Sequence, residues 1–182
     1  MAITCIAFIA ASLDGYIAKV DGNIDWLHNP KYAIGDEDYG YDRHFSNIDG
    51  LVMGRNTYEL ALSFDKWPYF DKPVYVLSSR VPSIPSALVS SVKILGGKIP
   101  SVMEQLSKNG HERLYIDGGK TIQGFINNGA LDEITITRIP ILLGKGIPLF
   151  SGLEREVALK HIFTKSYDNG FVQSKYLIES GA

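Results

Sequence analysis

The stretch Tyr115–Ile126, YIDGGKTIQGFI, joins the end of an apolar strand to the start of an amphipathic helix through a diglycine. Its centre, Gly118-Gly119-Lys120-Thr121, ends like a P-loop. A P-loop needs another glycine where this chain has Leu114, and a loop long enough to wrap a phosphate. Here the intervening residues belong to the strand, so the nucleotide-triphosphatase reading falls. What remains is a tight strand-to-helix turn. The unpaired N–H groups from Lys120 onward point out of the helix start, where an anion such as a diphosphate would sit. The two glycines serve equally well if they only allow the strand and helix to pack closely, so both readings stay open here.

Two similar junctions lie upstream. LVMGRNTYE puts Gly54 at a strand exit and Arg55, Asn56 and Thr57 at a helix start. Arg55 offers paired hydrogen bonds to a phosphate, and Thr57 adds a hydroxyl. VLSSR leaves Ser78, Ser79 and Arg80 at a third strand exit. Each alone is weak, since capping residues and solvated arginines account for it. Three together suggest one extended nucleotide across the carboxyl ends of a sheet, where open α/β sheets bind ligands. The GxGxxG fingerprint is absent, so the standard Rossmann arrangement falls too.

The wider pattern is strand alternating with helix. Ile3–Ala11, Leu51–Met53, Val74–Leu77 and Arg113–Ile116 read as strands. IPSVMEQLSKNG and KTIQGFINNG read as helices closed by Gly110 and Gly129. This predicts a largely parallel sheet covered on both faces. LDEITITRIPILLG is then an alternating strand followed by a short strand in IPLF. EVALKHIFTKSYDNGFVQSKYLI is a hairpin around Asp168–Gly170. Between the first two strands, SLDGYIAKVDGNIDWLHNP reads as a long ordered loop with two Asp-Gly turns, and DEDYGYDRHFSNI as a helix weakened by Gly40.

Bulk properties set limits. The 182 residues suit one domain spanning 1–182, with 45% hydrophobic and 21% charged residues. A net charge of −2 gives no support for a nucleic-acid surface. The apolar N-terminus is too short for a membrane span and lacks the basic start of a signal peptide. Cys5 is the sole cysteine, which suits a reducing cytoplasm, and it reads as a core thiol. The four histidines show no metal-ligand spacing, so no metal site is expected.

The motifs SLDGYIA, DGNIDWL, VMGRNTYE, VLSS, LYIDGGKTIQGFI and LDEITITRIPILLGKGIPLF occur in order over most of the chain. Together they resemble the dihydrofolate-reductase superfamily. Within it they resemble the reductase of bacterial riboflavin biosynthesis, the RibD C-terminal domain type, and its stand-alone relatives. LLGKGIPLF favours that branch over true dihydrofolate reductase. The resemblance implies a three-layer α/β fold with a mostly parallel central sheet and a C-terminal antiparallel hairpin. It implies a homodimer and NADPH as cofactor. Gly54, Arg55, Asn56 and Thr57 would bind the phosphates and the adenosine side. Ser78, Ser79 and Arg80 would hold the adenine ribose and its 2′-phosphate. Gly118, Gly119, Lys120 and Thr121 would hold the diphosphate, and Ala10, Ile17 and Ala18 would line the nicotinamide.

On the substrate side, a carboxylic acid with a raised pKa would assist proton transfer. In dihydrofolate reductases the pterin-binding acid lies sixteen residues before the glycine of MGR. Here 54 − 16 is Asp38. Asp38 would share a helix face with Asp42, and the alternative is a solvated helix start. Trp26 would either shield the hydride path or anchor its loop. Asp14 reads as a turn former, and the resemblance sets it near the active site. Arg43, Arg138 and Lys145 are candidates for a substrate phosphate. With one cysteine the chain lacks the zinc-deaminase set, so only reduction is expected. The expected activity is NADPH-dependent reduction of a small heterocycle, with 5-amino-6-(5-phosphoribosylamino)uracil as the family substrate. The alternatives are dihydrofolate reduction and a non-catalytic nucleotide-binding protein that keeps the fold. The aromatic segment FDKWPYF reads as packing or a subunit contact.

Overall fold

The computed structural model describes residues 3–70, 72–80 and 82–179. Strands β1 (Thr4–Ser12) and β2 (Tyr16–Ala18) come first, followed by helix α1 (Tyr41–Ser46). Then β3 (Gly50–Gly54), α2 (Arg55–Leu62), β4 (Val74–Leu77) and β5 (Val92–Leu95) alternate. Next come α3 (Ile99–Lys108), β6 (Arg113–Asp117), α4 (Gly119–Asn127) and β7 (Glu133–Ile139). Strands β8 (Ile147–Pro148), β9 (Leu159–Ser166) and β10 (Val172–Ile178) follow.

Eight strands form one sheet in the order β5-β4-β3-β6-β1-β7-β10-β9. The pairs from β5 to β7 are parallel, and β10 runs antiparallel to both β7 and β9. This is the expected mostly parallel sheet with an antiparallel hairpin. The β9–β10 hairpin closes where Gly170 takes a φ of 84° that side chains rarely adopt. The expected strand in IPLF shrinks to β8, which pairs with β2 in a separate small sheet. The loop after β1 thus carries β2 and two short 3-10 turns, Asp25–His28 and Pro30–Tyr32.

Two apolar layers cover the sheet. On one face α3 and α4 bury Val102, Leu106, Ile122 and Phe125 against Leu114 and Ile116. On the other, Tyr58 and Ala61 of α2 pack with Leu51, Met53, Val74 and Tyr115, and Tyr41 and Phe45 of α1 join them. Burying a side chain such as Phe125 contributes about 1.5–3 kcal/mol relative to leaving it in water. Cys5 is fully buried with its Sγ 3.7 Å from Met103 Sδ. Burial pushes its thiol up to about 12, so it is inert packing.

The helix expected over DEDYGYDRHFSNI begins only at Tyr41, because Gly40 takes a left-handed φ of 82° just before it. The lower edge of β3 and β6 is tied by Asp49, which accepts from the N–H groups of Glu112 and Arg113 at 2.7 and 2.9 Å. His111 Nδ1 lies 2.8 Å from the same carboxylate.

Candidate active site

Because β3, β4 and β6 are adjacent and parallel, their C-terminal ends meet at one edge. Register places Gly54 beside Leu77 and Met53 beside Asp117. Helices α2 and α4 both start at this edge, with Gly54 and Gly118 as their N-caps and no side-chain cap bond at either. Their first-turn N–H groups are therefore left for another partner.

The two helix starts interlock. Gly118 has a φ of 90°, and a Cβ there would collide with the hydroxyl of Thr57. A Cβ on Gly54 would lie 3.1 Å from Thr121 Oγ1. Each threonine thus rests against the other helix's glycine. Gly119 is also close-packed, since a Cβ would sit 2.8 Å from Ile17 Cδ1 of β2, whose side chain would have to shift. One strand further, Ser78 Oγ accepts from the Arg80 N–H at 3.1 Å and folds the exit of β4 back on itself, leaving Ser79 and Arg80 exposed. Among the described residues Arg55 is ion-paired with Glu59, at 3.8 Å, and Asn56 and Lys120 are exposed.

Asp117 ends β6 beside this diglycine. Its Oδ1 accepts from the Gly118 N–H at 2.8 Å, and its Oδ2 accepts from the Tyr69 hydroxyl at 3.3 Å. By surface area Asp117 is only half-buried, yet protein surrounds its carboxyl. Desolvation raises its pKa, and the hydrogen bonds from the Gly118 N–H and the Tyr69 hydroxyl only partly offset that. The nearby phenols stay neutral. Burial and Asp117 itself push Tyr41 up to about 12, and they raise Tyr69 and Tyr115 as well. A carboxyl whose pKa is raised, set among phenols and beside the two uncapped helix starts, is better suited to hold a proton than an ordinary solvated aspartate.

The sequence model of the RibD C-terminal domain matches residues 4–173. The chain belongs to the RibD C-terminal domain family. A Shewanella sp. PV-4 protein assigned provisionally to riboflavin biosynthesis is 42% identical. It superposes with a TM-score of 0.89 over 98% of this chain and 100% of that one. The uncharacterized Bacillus subtilis protein YwjB is 34% identical over 174 residues, covering 94% of this chain and 96% of its own. Enterococcus faecalis dihydrofolate reductase, solved with NADP(H), shares the fold with a TM-score of 0.67 at 17% identity, over 97% of each chain.

Within this RibD-type fold the other expected residues fall in varied places. Ile17 lies against Gly119, and Ala10 packs beside the cluster of Trp26, Tyr32, Ile139 and Phe171. Ala18 is buried in the β2–β8 arm. Trp26 is 5% exposed in that cluster, so its ring anchors the loop to the sheet. Asp14 is a tie between distant segments: it accepts from Ser12 Oγ at 2.5 Å and from the N–H groups of Leu143 and Gly144 at 3.2 and 2.8 Å. Those bonds, Ser12 first, hold its carboxyl below the usual range despite some desolvation.

Asp38 does not have the apolar surroundings that would raise a carboxyl pKa. It is exposed ahead of α1 and accepts from the N–H groups of Gly40 and Asp42 at 2.9 and 2.7 Å. These backbone bonds, Asp42 first, lower its pKa. It therefore caps the helix start, and shares no helix face with Asp42. The group with the raised pKa is Asp117, which the sequence hides as an ordinary strand end. Its partner Tyr69 comes from FDKWPYF, 48 residues away, so the aromatic segment is more than packing.

Proposed function

We propose that this protein is an NADPH-dependent reductase of a small heterocycle, with the phosphoribosylamino-pyrimidine of riboflavin biosynthesis as its substrate. The observation that carries this reading is the edge where uncapped α2 and α4 begin beside closely packed glycines, Gly118 having no room for a Cβ, with Asp117 next to them. The glycine cradle fits a dinucleotide, because backbone N–H groups approach a diphosphate only where side chains are missing. Gly118, Gly119, Lys120 and Thr121 would hold the diphosphate together with Gly54, Arg55, Asn56 and Thr57. Ser78, Ser79 and Arg80 would take the ribose and its 2′-phosphate, and the bidentate guanidinium favours NADPH over NADH. Ile17 would face the nicotinamide, which supplies a hydride when bound.

Asp117 holds the proton for the reduced substrate at its carboxyl. Tyr69 and the Gly118 N–H orient that carboxyl and stabilise the carboxylate left after transfer. Dihydrofolate reduction is disfavoured because Asp38, the acid counted to the pterin position, is exposed and its backbone hydrogen bonds lower its pKa. Titration of tryptophan fluorescence tests the cofactor: NADPH quenches it and NADH binds much more weakly. Binding of neither cofactor would overturn the proposal. NADPH binding without turnover of the pyrimidine would leave a nucleotide-binding protein that keeps the fold.

A further inference from the structure

Away from the cofactor edge, a cavity of about 480 Å³ opens on the α1 side of the sheet, between α1 and the β9–β10 hairpin. Arg113 and Glu133, the first residues of β6 and β7, line it, so it sits toward the opposite end of the strands from Gly54 and Gly118. Its volume lies within the range of small-molecule sites.

The walls combine two chemistries. Ile6, Phe8, Ile162 and Phe163 are apolar, and the last two are 44% and 41% exposed. Phe8 stacks on the ring of His44, centroids 4.8 Å apart, which gives one flat wall. Against these stand Arg43, Arg113 and Lys175, with Glu133 as the one carboxylate in the lining. Glu133 is already shared, 2.7 Å from Lys175 and 3.5 Å from Arg113. Three cations therefore face one acid. Three buried polar atoms in the same cavity have no hydrogen-bond partner among the described residues: His44 Nε2, Arg113 Nε and the ion-paired Glu133 Oε2. Unpaired buried polar atoms are costly and point to a missing partner. His44 is neutral there: burial, then Arg113 and Lys175, lower it to about 4.

We infer that this cavity binds a small organic anion, a carboxylate or phosphate on a flat apolar body. The charged head would face Arg113, Arg43 and Lys175, and the body would lie along Phe8, Ile162 and Phe163. A second copy of the chain fits the surface less well. A two-fold axis through the cavity would set its cations against their own copies.

Calorimetric titration of the full chain with benzoate, phenyl phosphate and inorganic phosphate tests the inference. One or both aromatic anions bind, and inorganic phosphate binds more weakly than phenyl phosphate. Arg43→Ala, at an exposed position whose loss leaves no buried charge, weakens binding about tenfold, as expected for a lost charged hydrogen bond. Lys175→Met weakens it similarly, with melting curves confirming that both variants are folded. Which aromatic anion binds tighter separates a carboxylate from a phosphate ligand. Absence of binding by both aromatic anions, unchanged binding in Arg43→Ala, or inorganic phosphate binding as well as phenyl phosphate would overturn it. So would a dimer in sedimentation equilibrium that Ile162→Asp dissociates, because the face would then be a subunit contact.

Discussion

Asp38 lies in solvent ahead of α1 with two backbone N–H groups on its oxygens, whereas Asp117 ends β6 enclosed by tyrosines. Local backbone hydrogen bonds dominate at Asp38 and favour its charged form. At Asp117 desolvation outweighs the hydrogen bonds from Gly118 and Tyr69 and favours the neutral form. The position of an acid along the chain is thus a poor guide to its chemistry. What decides is how much water the fold leaves it, and that depends on segments far away in sequence.

The largest test of this contrast is Asp117→Asn. An amide of the same shape keeps the Tyr69 contact but has no acid proton to give. Turnover should fall about a hundredfold or more, the usual contribution of a positioned acid. NADPH affinity should hold, and loss of both together would mean that Asp117 supports the cradle instead. Stability gives an independent reading. The folded-state pKa lies above the ordinary 3.8, so the group's contribution is fully present below 3.8 and is lost as pH rises through the folded value. Urea melts should show wild-type stability declining over that window and the decline missing in Asp117→Asn.

Gly118→Ala should have the next largest effect, this time on the cradle. The left-handed backbone and the collision with Thr57 together cost about 2 kcal/mol or more. A lower melting temperature and weaker NADPH binding are expected. Pairing the change with Thr57→Ser, which removes a methyl but keeps the hydroxyl, should restore little, because the hydroxyl is the atom in the way. Full restoration would mean that the methyl, not the backbone, sets the constraint.

Arg80→Ala should act on one cofactor only. Losing a charged hydrogen bond to the 2′-phosphate should weaken NADPH about tenfold and leave NADH unchanged. An equal loss for both would place Arg80 away from that phosphate.

The sheet was legible because its signals are local. Val74–Leu77 is a strand within the same limits in sequence and structure, since an apolar β-branched run bounded by Pro73 and Ser78 has no other good solution. The three strand-to-helix or strand-exit junctions, two of them glycine turns, were legible for a similar reason. Helix α1 was less so, because the left-handed turn at Gly40 breaks a pattern that composition alone extends to Asp36. The acid was not legible. Tyr69 reaches Asp117 across 48 residues, and Asp14 reaches Leu143 and Gly144 across 129 and 130. Nothing in the neighbouring residues encodes such pairings.

The smallest expected effect closes the comparison. Asp38→Asn keeps a side-chain oxygen that accepts from Gly40 or Asp42, and surface changes of this kind usually stay within about 0.5 kcal/mol. Turnover should remain within about twofold of the wild-type rate, and Asp38→Ala should lower stability modestly by removing the cap. The pH signs also oppose those of Asp117. The lowered pKa of Asp38 means that its contribution is present above 3.8 and is lost as pH falls through the folded value. A large drop in turnover for Asp38→Asn with cofactor affinity intact would mean that substrate binding draws this segment inward, turning a solvated cap into a substrate contact.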